Sequence, residues 1–291
     1  MASTTLLAIV NPLSGTASLA QKQQWIDFLL KKAPEAGFQP EAVFTKHPGH
    51  ATELSADAVR QGIRRIIVIG GDGTMNETAR ALLHTQTALG IVPVGSGNGL
   101  ARHLGVPLNP RKAIESAING RPVVIDSGRI NEHAFFCTTG IGFDAYVAHE
   151  FVRQPVRGLP TYIRTTYRAF WSYEPASYEI DGKTHTLFSL TVANAGQFGN
   201  NAWIAPKANV ADGLLDVCLL KPFPRSAVGA LAWRLFNKTL DESGYLTVRP
   251  TRSVTVKGAD SLLIHVDGEP VQLATNTATV QVVPSSLLVI R

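Results

Sequence analysis

The chain has 291 residues, 45% hydrophobic and 17% charged, which excludes a disordered protein and leaves room for two domains with separate cores. Its formal charge of +5 suits an anionic partner such as polyphosphate or anionic lipid, but the basic residues are scattered, which argues against nucleic acid. Cys137 and Cys218 form no CxxC pair, which argues against a zinc site or disulfide framework.

The opening MASTTLLAIV has no basic region ahead of its apolar run and reads as a first strand, so a cytoplasmic chain is expected. No apolar stretch reaches the roughly 18 residues of a transmembrane segment, so any membrane contact is expected to be peripheral. From Thr4 to about Ile125, short apolar runs alternate with helical patterns. LLAIV (6–10), EAVF (41–44), RIIVIG (65–70) and LGIVPV (89–94) read as parallel strands, and residues 19–32, 51–61, 74–84 and 110–119 as helices on both faces. After Asp126 the pattern changes to turn-separated β segments: HAFFCTTG (133–140), THTLFSLTVANA (184–195), GLLDVCLL (213–220), YLTVRPTRSVTV (245–256), SLLIHVD (261–267) and TATVQVV (277–283). Helical stretches interrupt them near 162–171 and 225–240. The expected fold is an α/β domain with a parallel sheet over 1–125, followed by a mainly antiparallel β-sandwich over 126–291 whose last residues pack back on the first domain. A junction of this kind is a usual place for a ligand cleft.

Three strand-to-helix junctions of the first half are rich in glycine. In RIIVIGGDGTMNETARALL the strand ends at Gly70 and the helix starts near Thr74, which sets Gly70, Gly71, Asp72 and Gly73 at the carboxyl edge of the sheet, where α/β folds bind ligands. Glycines let backbone N–H groups approach a phosphate, and a helix N-terminus favours an anion by about 0.3–1 kcal/mol. Thr74 and Glu77 also match a T-x-x-E capping box, a purely structural alternative. Asp72 would repel a triphosphate unless a divalent cation or ordered water stands between them, which points to magnesium; the alternative is a bond to its own turn amides. Gly95, Ser96, Gly97 and Asn98 precede a short helix from about Gly99, and Asn11, Ser14 and Gly15 follow the first strand, so three strand ends point at one place.

In the second half, LLIHVDGEPVQL places Asp267 and Gly268 in a hairpin turn by spacing. An enzyme phosphorylating an alcohol needs a carboxylate within reach of the hydroxyl, a role for Glu269 with Asp267 beside it. In NVADGLLDV, Asp212 and Asp216 flank a glycine; spacing reads this as a turn in preference to an oxygen-rich cation loop. LPTYIRTTYRAFWSY (159–173) and ALAWRLFNKTL around Trp233 read either as domain-packing helices or as interfacial helices for a bilayer. The eight histidines show no ligand spacing.

NPLSG (11–15), GGDGTMNE (70–77), GSGNGLAR (95–102), GIGFDA (140–145), IAPKANVADGLLDV (204–217) and DGEP (267–270) occur in the order found in the diacylglycerol kinase catalytic-domain family, whose soluble bacterial lipid kinases the chain resembles. GGDG alone is also similar to NAD kinases and phosphofructokinases. The resemblance implies an NAD kinase/phosphofructokinase-like first domain and an ATP- and Mg2+-dependent phosphorylation of a diacylglycerol or sphingoid-type hydroxyl, at a membrane surface on the inner face. NAD kinase activity, or a non-catalytic nucleotide or lipid sensor, is the alternative, and a homodimer is left open. The same resemblance implies that Thr45 in TKHPGHA touches ATP and that Gly71 to Glu77, Asn76 included, form the main nucleotide loop. It gives Ser96 the place of a nucleotide-contacting threonine and makes Glu269 the base. It also implies a structural magnesium held by Asp212 with the backbone carbonyls of Asn209 and Leu214, in place of the plain turn that spacing favours. One departure stands out: many bacterial members read GTxND where this chain reads GSGNG, so Gly99 replaces an aspartate. GSGN is more similar to the sphingosine and ceramide kinase branch.

Overall fold

A computed structural model describes residues 4–156 and 158–291. The chain divides into two compact units, Met1–Ile125 with Ser285–Arg291, and Asp126–Pro284.

In the first unit, β1 (Thr5–Val10), β2 (Gln39–Phe44), β3 (Arg65–Gly70) and β4 (Ala88–Pro93) form a parallel sheet in the order β2-β1-β3-β4. The last strand of the chain returns here, with Val289 paired in parallel to Leu89. Because helices cover both faces, β1, β3 and β4 are buried apolar runs without alternation. The helices are α1 (Leu19–Lys32), α2 (His50–Arg60), α3 (Asp72–Leu82), α4 (Gly99–His103) and α5 (Pro110–Asn119). Ser18 and Gln21 close a capping box on α1, and Asn109 caps α5 ahead of Pro110. α3 begins at Asp72, two residues before the position the sequence suggests, and its N-cap Gly71 makes no side-chain bond. The T-x-x-E reading of Thr74 and Glu77 is therefore replaced by other contacts, described below.

The second unit contains β5 (Pro122–Ile130, from Asp126 on), β6 (His133–Phe135), β7 (Thr138–Gly142), α6 (Phe143–Val152), α7 (Leu159–Ser172), β8 (Ala176–Ile180), β9 (Lys183–Leu187) and β10 (Ser189–Ala193). A small ribbon of β11 (Gln197–Gly199) and β12 (Ala202–Trp203) follows, then β13 (Leu215–Leu220), α8 (Val228–Phe236), β14 (Leu246–Thr251), β15 (Ser253–Lys257), β16 (Leu263–Val266), β17 (Glu269–Gln272) and β18 (Thr277–Ile290). One antiparallel sheet runs β14-β13-β10-β7-β16-β17. A second layer pairs β18 with β15, β15 with β8, and β8 with β9. Ile141, Leu190, Val192, Val217 and Ile264 of the first layer share one core with Tyr178, Ile180, Val254, Val256 and Val280 of the second, which makes this unit a β-sandwich.

Two segments read as single strands each change sheet at one residue: 184–195 breaks at Phe188 between β9 and β10, and 245–256 breaks at Arg252 between β14 and β15. α6 carries too many apolar residues to show a helical stripe, and in β8 only Tyr178 and Ile180 face inward, so neither stands out in the sequence. Among the described residues, no helix is long and apolar enough to cross a membrane.

Candidate active site

In the first unit the C-terminal ends of β1, β2, β3 and β4 carry the loops that the sequence singles out. Asn11 N–H donates to the Ile69 carbonyl at 3.1 Å and Asn11 Nδ2 to Thr74 Oγ1 at 2.8 Å, which ties the first loop to α3. Ser14 turns back on the Asn11 carbonyl, and Thr45 N–H, after β2, donates to the Val10 carbonyl at 2.9 Å. The glycines are required by close approach: a Cβ on Gly15 would lie 1.8 Å from the Val94 carbonyl oxygen, and one on Gly95 would lie 2.7 Å from the Gly71 Cα. The three glycine loops thus touch one another through their backbones.

Asp72 is the first residue of α3, where a negative charge is favoured by the helix dipole. Its Oδ2 accepts Asn98 N–H at 2.8 Å and its Oδ1 accepts Gly99 N–H at 2.9 Å. Burial pushes its carboxyl above the usual carboxylate range, against the pull of the Asn98 and Gly99 amides and of Arg102. The Asn98 side chain closes the same loop on Gly95, and Arg102 Nε holds the Gly97 carbonyl at 3.0 Å, while Ser96 is exposed. Asn76 and Thr74 are buried in α3. Glu77 Oε2 accepts Ala51 N–H at 3.3 Å and its carbonyl accepts Thr52 Oγ1–H at 2.9 Å, so this residue binds α3 to the first turn of α2.

In the second unit, β16 and β17 are joined by Asp267 and Gly268, both with positive φ (49° and 86°), as a two-residue hairpin requires. Asp267 accepts three consecutive backbone N–H groups, those of Phe136, Cys137 and Thr138, at 2.9, 2.7 and 3.0 Å. Its charge is therefore committed to fixing the hairpin. Glu269, the first residue of β17, is exposed. Beneath the turn, Gly268 N–H donates to His265 Nδ1 at 3.3 Å, which leaves the ring proton on Nε2, 3.3 Å from Asp144 Oδ2. Thr191 Oγ1 donates to the same oxygen at 2.7 Å. A Cβ on Gly140 would stand 2.4 Å from that oxygen, so GIGFDA supplies both the carboxylate and the space it needs.

The segment 209–214 is a turn held by its own side chains: Asn209 Oδ1 accepts Ala211 N–H and Asp212 Oδ1 accepts Leu214 N–H. Buried Asp126 accepts Gly213 N–H at 2.7 Å from below. Burial, with the neighbouring Asp212, pushes the Asp216 carboxyl up. An oxygen-rich, carboxylate-crowded turn of this kind fits a hard divalent cation.

Comparison with known proteins matches the family model for the diacylglycerol kinase catalytic domain to residues 5–130 and that for the "YegS C-terminal NAD kinase beta sandwich-like domain" to residues 138–291. The chain belongs to the diacylglycerol kinase catalytic-domain family. A "Probable lipid kinase YegS-like" protein of Pseudomonas putida is 32% identical over 248 residues, 82% of each chain. A "Diacylglycerol kinase" of Mycobacterium tuberculosis is 28% identical over 98% of this chain and 94% of its own. A crystal structure titled as a diacylglycerol kinase from Bacillus anthracis superposes with a TM-score of 0.75 at 23% identity, covering 99% of this chain and 96% of that one, and shares the fold.

For this member of the lipid-kinase family, sequence reasoning missed Lys22 and the His265–Asp144 pair. Lys22 lies on the buried stripe of α1 with Ile26 and Leu29, and its Nζ donates to the Pro12 carbonyl at 2.6 Å, bracing the loop after β1. A lysine in phase with that apolar stripe was the available signal. His265 sits within LLIHVDG, where its place in a buried strand gives no hint of a carboxylate partner 121 positions away.

Proposed function

We propose that the chain is an ATP- and Mg2+-dependent lipid kinase transferring the γ-phosphoryl group to a hydroxyl of a diacylglycerol or sphingoid-type lipid. The observation that carries this reading is the sheet edge of the first unit, where Asp72 fastens two glycine loops at the start of α3 in a member of a kinase family. The loops at Asn11–Gly15, Thr45, Gly70–Glu77 and Gly95–Asn98 would hold the nucleotide, their backbone N–H groups meeting phosphate oxygens. Magnesium, when bound, would neutralise the charge between Asp72 and the triphosphate; a second ion would sit at Asp212 with the carbonyls of Asn209 and Leu214. Glu269 takes the proton as the lipid oxygen bonds to the γ-phosphorus and the bond to the β-phosphate oxygen breaks. Asp267 supports it by fixing the hairpin.

The lipid arrives from a bilayer, and α7 is suited to meet one. Ile163, Tyr167 and Trp171 are 58%, 64% and 44% exposed, interleaved with exposed Arg164 and Arg168, while Phe170 on the inner side packs against Phe143, Phe188 and Phe223. These exposed aromatics and arginines support a peripheral enzyme on the cytoplasmic face.

Labelled ATP, Mg2+ and a mixed-micelle panel of diacylglycerol, sphingoid bases and ceramide, with NAD in a parallel tube, test the reading. Label in a lipid is expected, and Glu269→Gln should abolish it with an unchanged circular dichroism spectrum. NADP formation, or ATP binding without transfer to any acceptor, would overturn it.

A further inference from the structure

We propose that His47, His50 and Glu53 form a binding site for a divalent transition metal, with Zn2+ the ion they match best. After β2 the chain turns into α2 through Gly49, whose φ of +86° few side chains tolerate. The turn is closed by His50 N–H on the His47 carbonyl at 3.2 Å, which brings residues three apart in sequence face to face. The two imidazoles stack with centroids 4.8 Å apart at 25°. Glu53 stands on the same side of α2 as His50, three residues on. One ligating atom from each of the three side chains lies within 4.8 Å of the other two.

The protonation pattern suits coordination at His47; His50 Nδ1 accepts Lys46 N–H at 3.0 Å, so an ion on His50 has to displace that bond or take Nε2 as its proton leaves. His47 Nδ1 lies 3.0 Å from the Pro48 carbonyl, which fixes the ring proton there and leaves the Nε2 lone pair 4.0 Å from Glu53 Oε2. A carbonyl holding the far nitrogen is the arrangement that orients histidines on metals. Tetrahedral zinc wants its ligand atoms about 3.3 Å apart, given Zn–N bonds near 2.0 Å. The His47 and Glu53 side chains, 53% and 64% exposed, have the freedom to close that gap by side-chain rotation, and the fourth position is left to water. Two imidazole nitrogens select zinc, copper or nickel over magnesium, so this site is chemically separate from any triphosphate-bound cation. Cysteine counting and histidine spacing give no hint of it, because the third ligand is a glutamate and the turn at Gly49 is what brings the rings together. The ion would clamp the first turn of α2, whose Ala51 and Thr52 hold Glu77.

The test is isothermal titration of the full-length, tag-free protein with zinc chloride in excess Mg2+, followed by the visible spectrum of its cobalt form. One zinc per chain is expected, with a four-coordinate cobalt spectrum. His47→Ala, His50→Ala and Glu53→Ala should each weaken binding by more than about tenfold, the lower limit for losing even an outer partner. His133→Ala, at another surface histidine beside a glutamate, should change nothing. Absence of zinc binding, or its persistence in the His47→Ala/Glu53→Ala double variant, would overturn the proposal. All four substituted side chains lie at or near the surface, and far-ultraviolet circular dichroism checks that each variant folds.

Discussion

Gly99 N–H donates to Asp72 Oδ1 at 2.9 Å, and with the adjacent bond from Asn98 it makes one carboxylate the clasp between the loops after β3 and β4. Asn98 and Gly99 are buried, so Asp72→Ala leaves two amides without water or protein partners. That should cost about 1–3 kcal/mol per unsatisfied group, read as a lower urea midpoint, with ATP affinity reduced in parallel. Asp72→Asn keeps one acceptor oxygen and should lose less. An unaltered midpoint for the alanine variant would mean the clasp contributes nothing to the fold.

Gly15 and Gly62 separate backbone strain from crowding. Both have positive φ, 66° and 74°, but a Cβ on Gly15 meets the Val94 carbonyl whereas one on Gly62 meets nothing within 4 Å. Gly62→Ala should cost about 1–2 kcal/mol of stability and leave nucleotide binding intact. Gly15→Ala must displace the loop after β4, and calorimetry should show ATP affinity reduced by about tenfold or more. Equal affinities in the two variants would contradict the crowding argument.

His265 should act as a positioning residue for the Glu269 hairpin through Gly268 and Asp144. His265→Leu removes both contacts and is expected to lower kcat by about tenfold to a hundredfold with KM for ATP unchanged. His265→Asn retains an acceptor for Gly268 N–H and should recover part of that loss. A joint rise in KM and fall in melting temperature would instead mark a purely structural histidine.

Asp181 provides a pH signature in the sandwich. Partial burial alone would raise its carboxyl, but the Thr255 N–H at 3.0 Å and the Arg249 guanidinium at 2.7 Å outweigh burial and hold it below the usual carboxylate range. A depressed pKa gives stability that is present above the unfolded value and lost as pH falls through the folded one. Asp181→Asn should therefore cost up to about 1 kcal/mol at neutral pH, screened because the pair is exposed, and almost nothing once the carboxyl is protonated in both states. Denaturant melts at both ends of that range measure it; a gap independent of pH would refute the assignment.

For α7, Tyr167→Ser with Trp171→Ser should release the protein from anionic vesicles in co-sedimentation, and Arg164→Ala with Arg168→Ala should weaken binding by about 1 kcal/mol per charge. Raising salt should mimic the arginine variants. Activity on a water-soluble short-chain acceptor should survive all four changes. Unchanged sedimentation would assign this face to something other than a bilayer.

The strands of the first unit were legible because parallel strands covered on both faces become uninterrupted apolar runs, and the glycine loops because close backbone approach leaves a compositional mark. The partner of Asp72 was not legible, since the amides that meet it lie 26 and 27 positions downstream. The structural alternative for Glu77, a cap for its own helix, is replaced by a bond to the start of α2, because a carboxylate pattern at i+3 cannot report which helix end it faces. In the sandwich, alternation located most strands and missed the sheet changes at Phe188 and Arg252, because a two-residue period continues unbroken when a strand changes partners.

Main-chain donors have a consequence for how this kinase can diverge. Any residue except proline supplies an N–H at position 99, so the side chain there can drift without unfastening Asp72, whereas Asn98 is also held by its own bonds to Gly95. Gly99, set against the aspartate of the GTxND pattern, would thus alter the chemistry offered at the loop and spare the scaffold, leaving the proposed metal demand and acceptor choice free to evolve apart from folding.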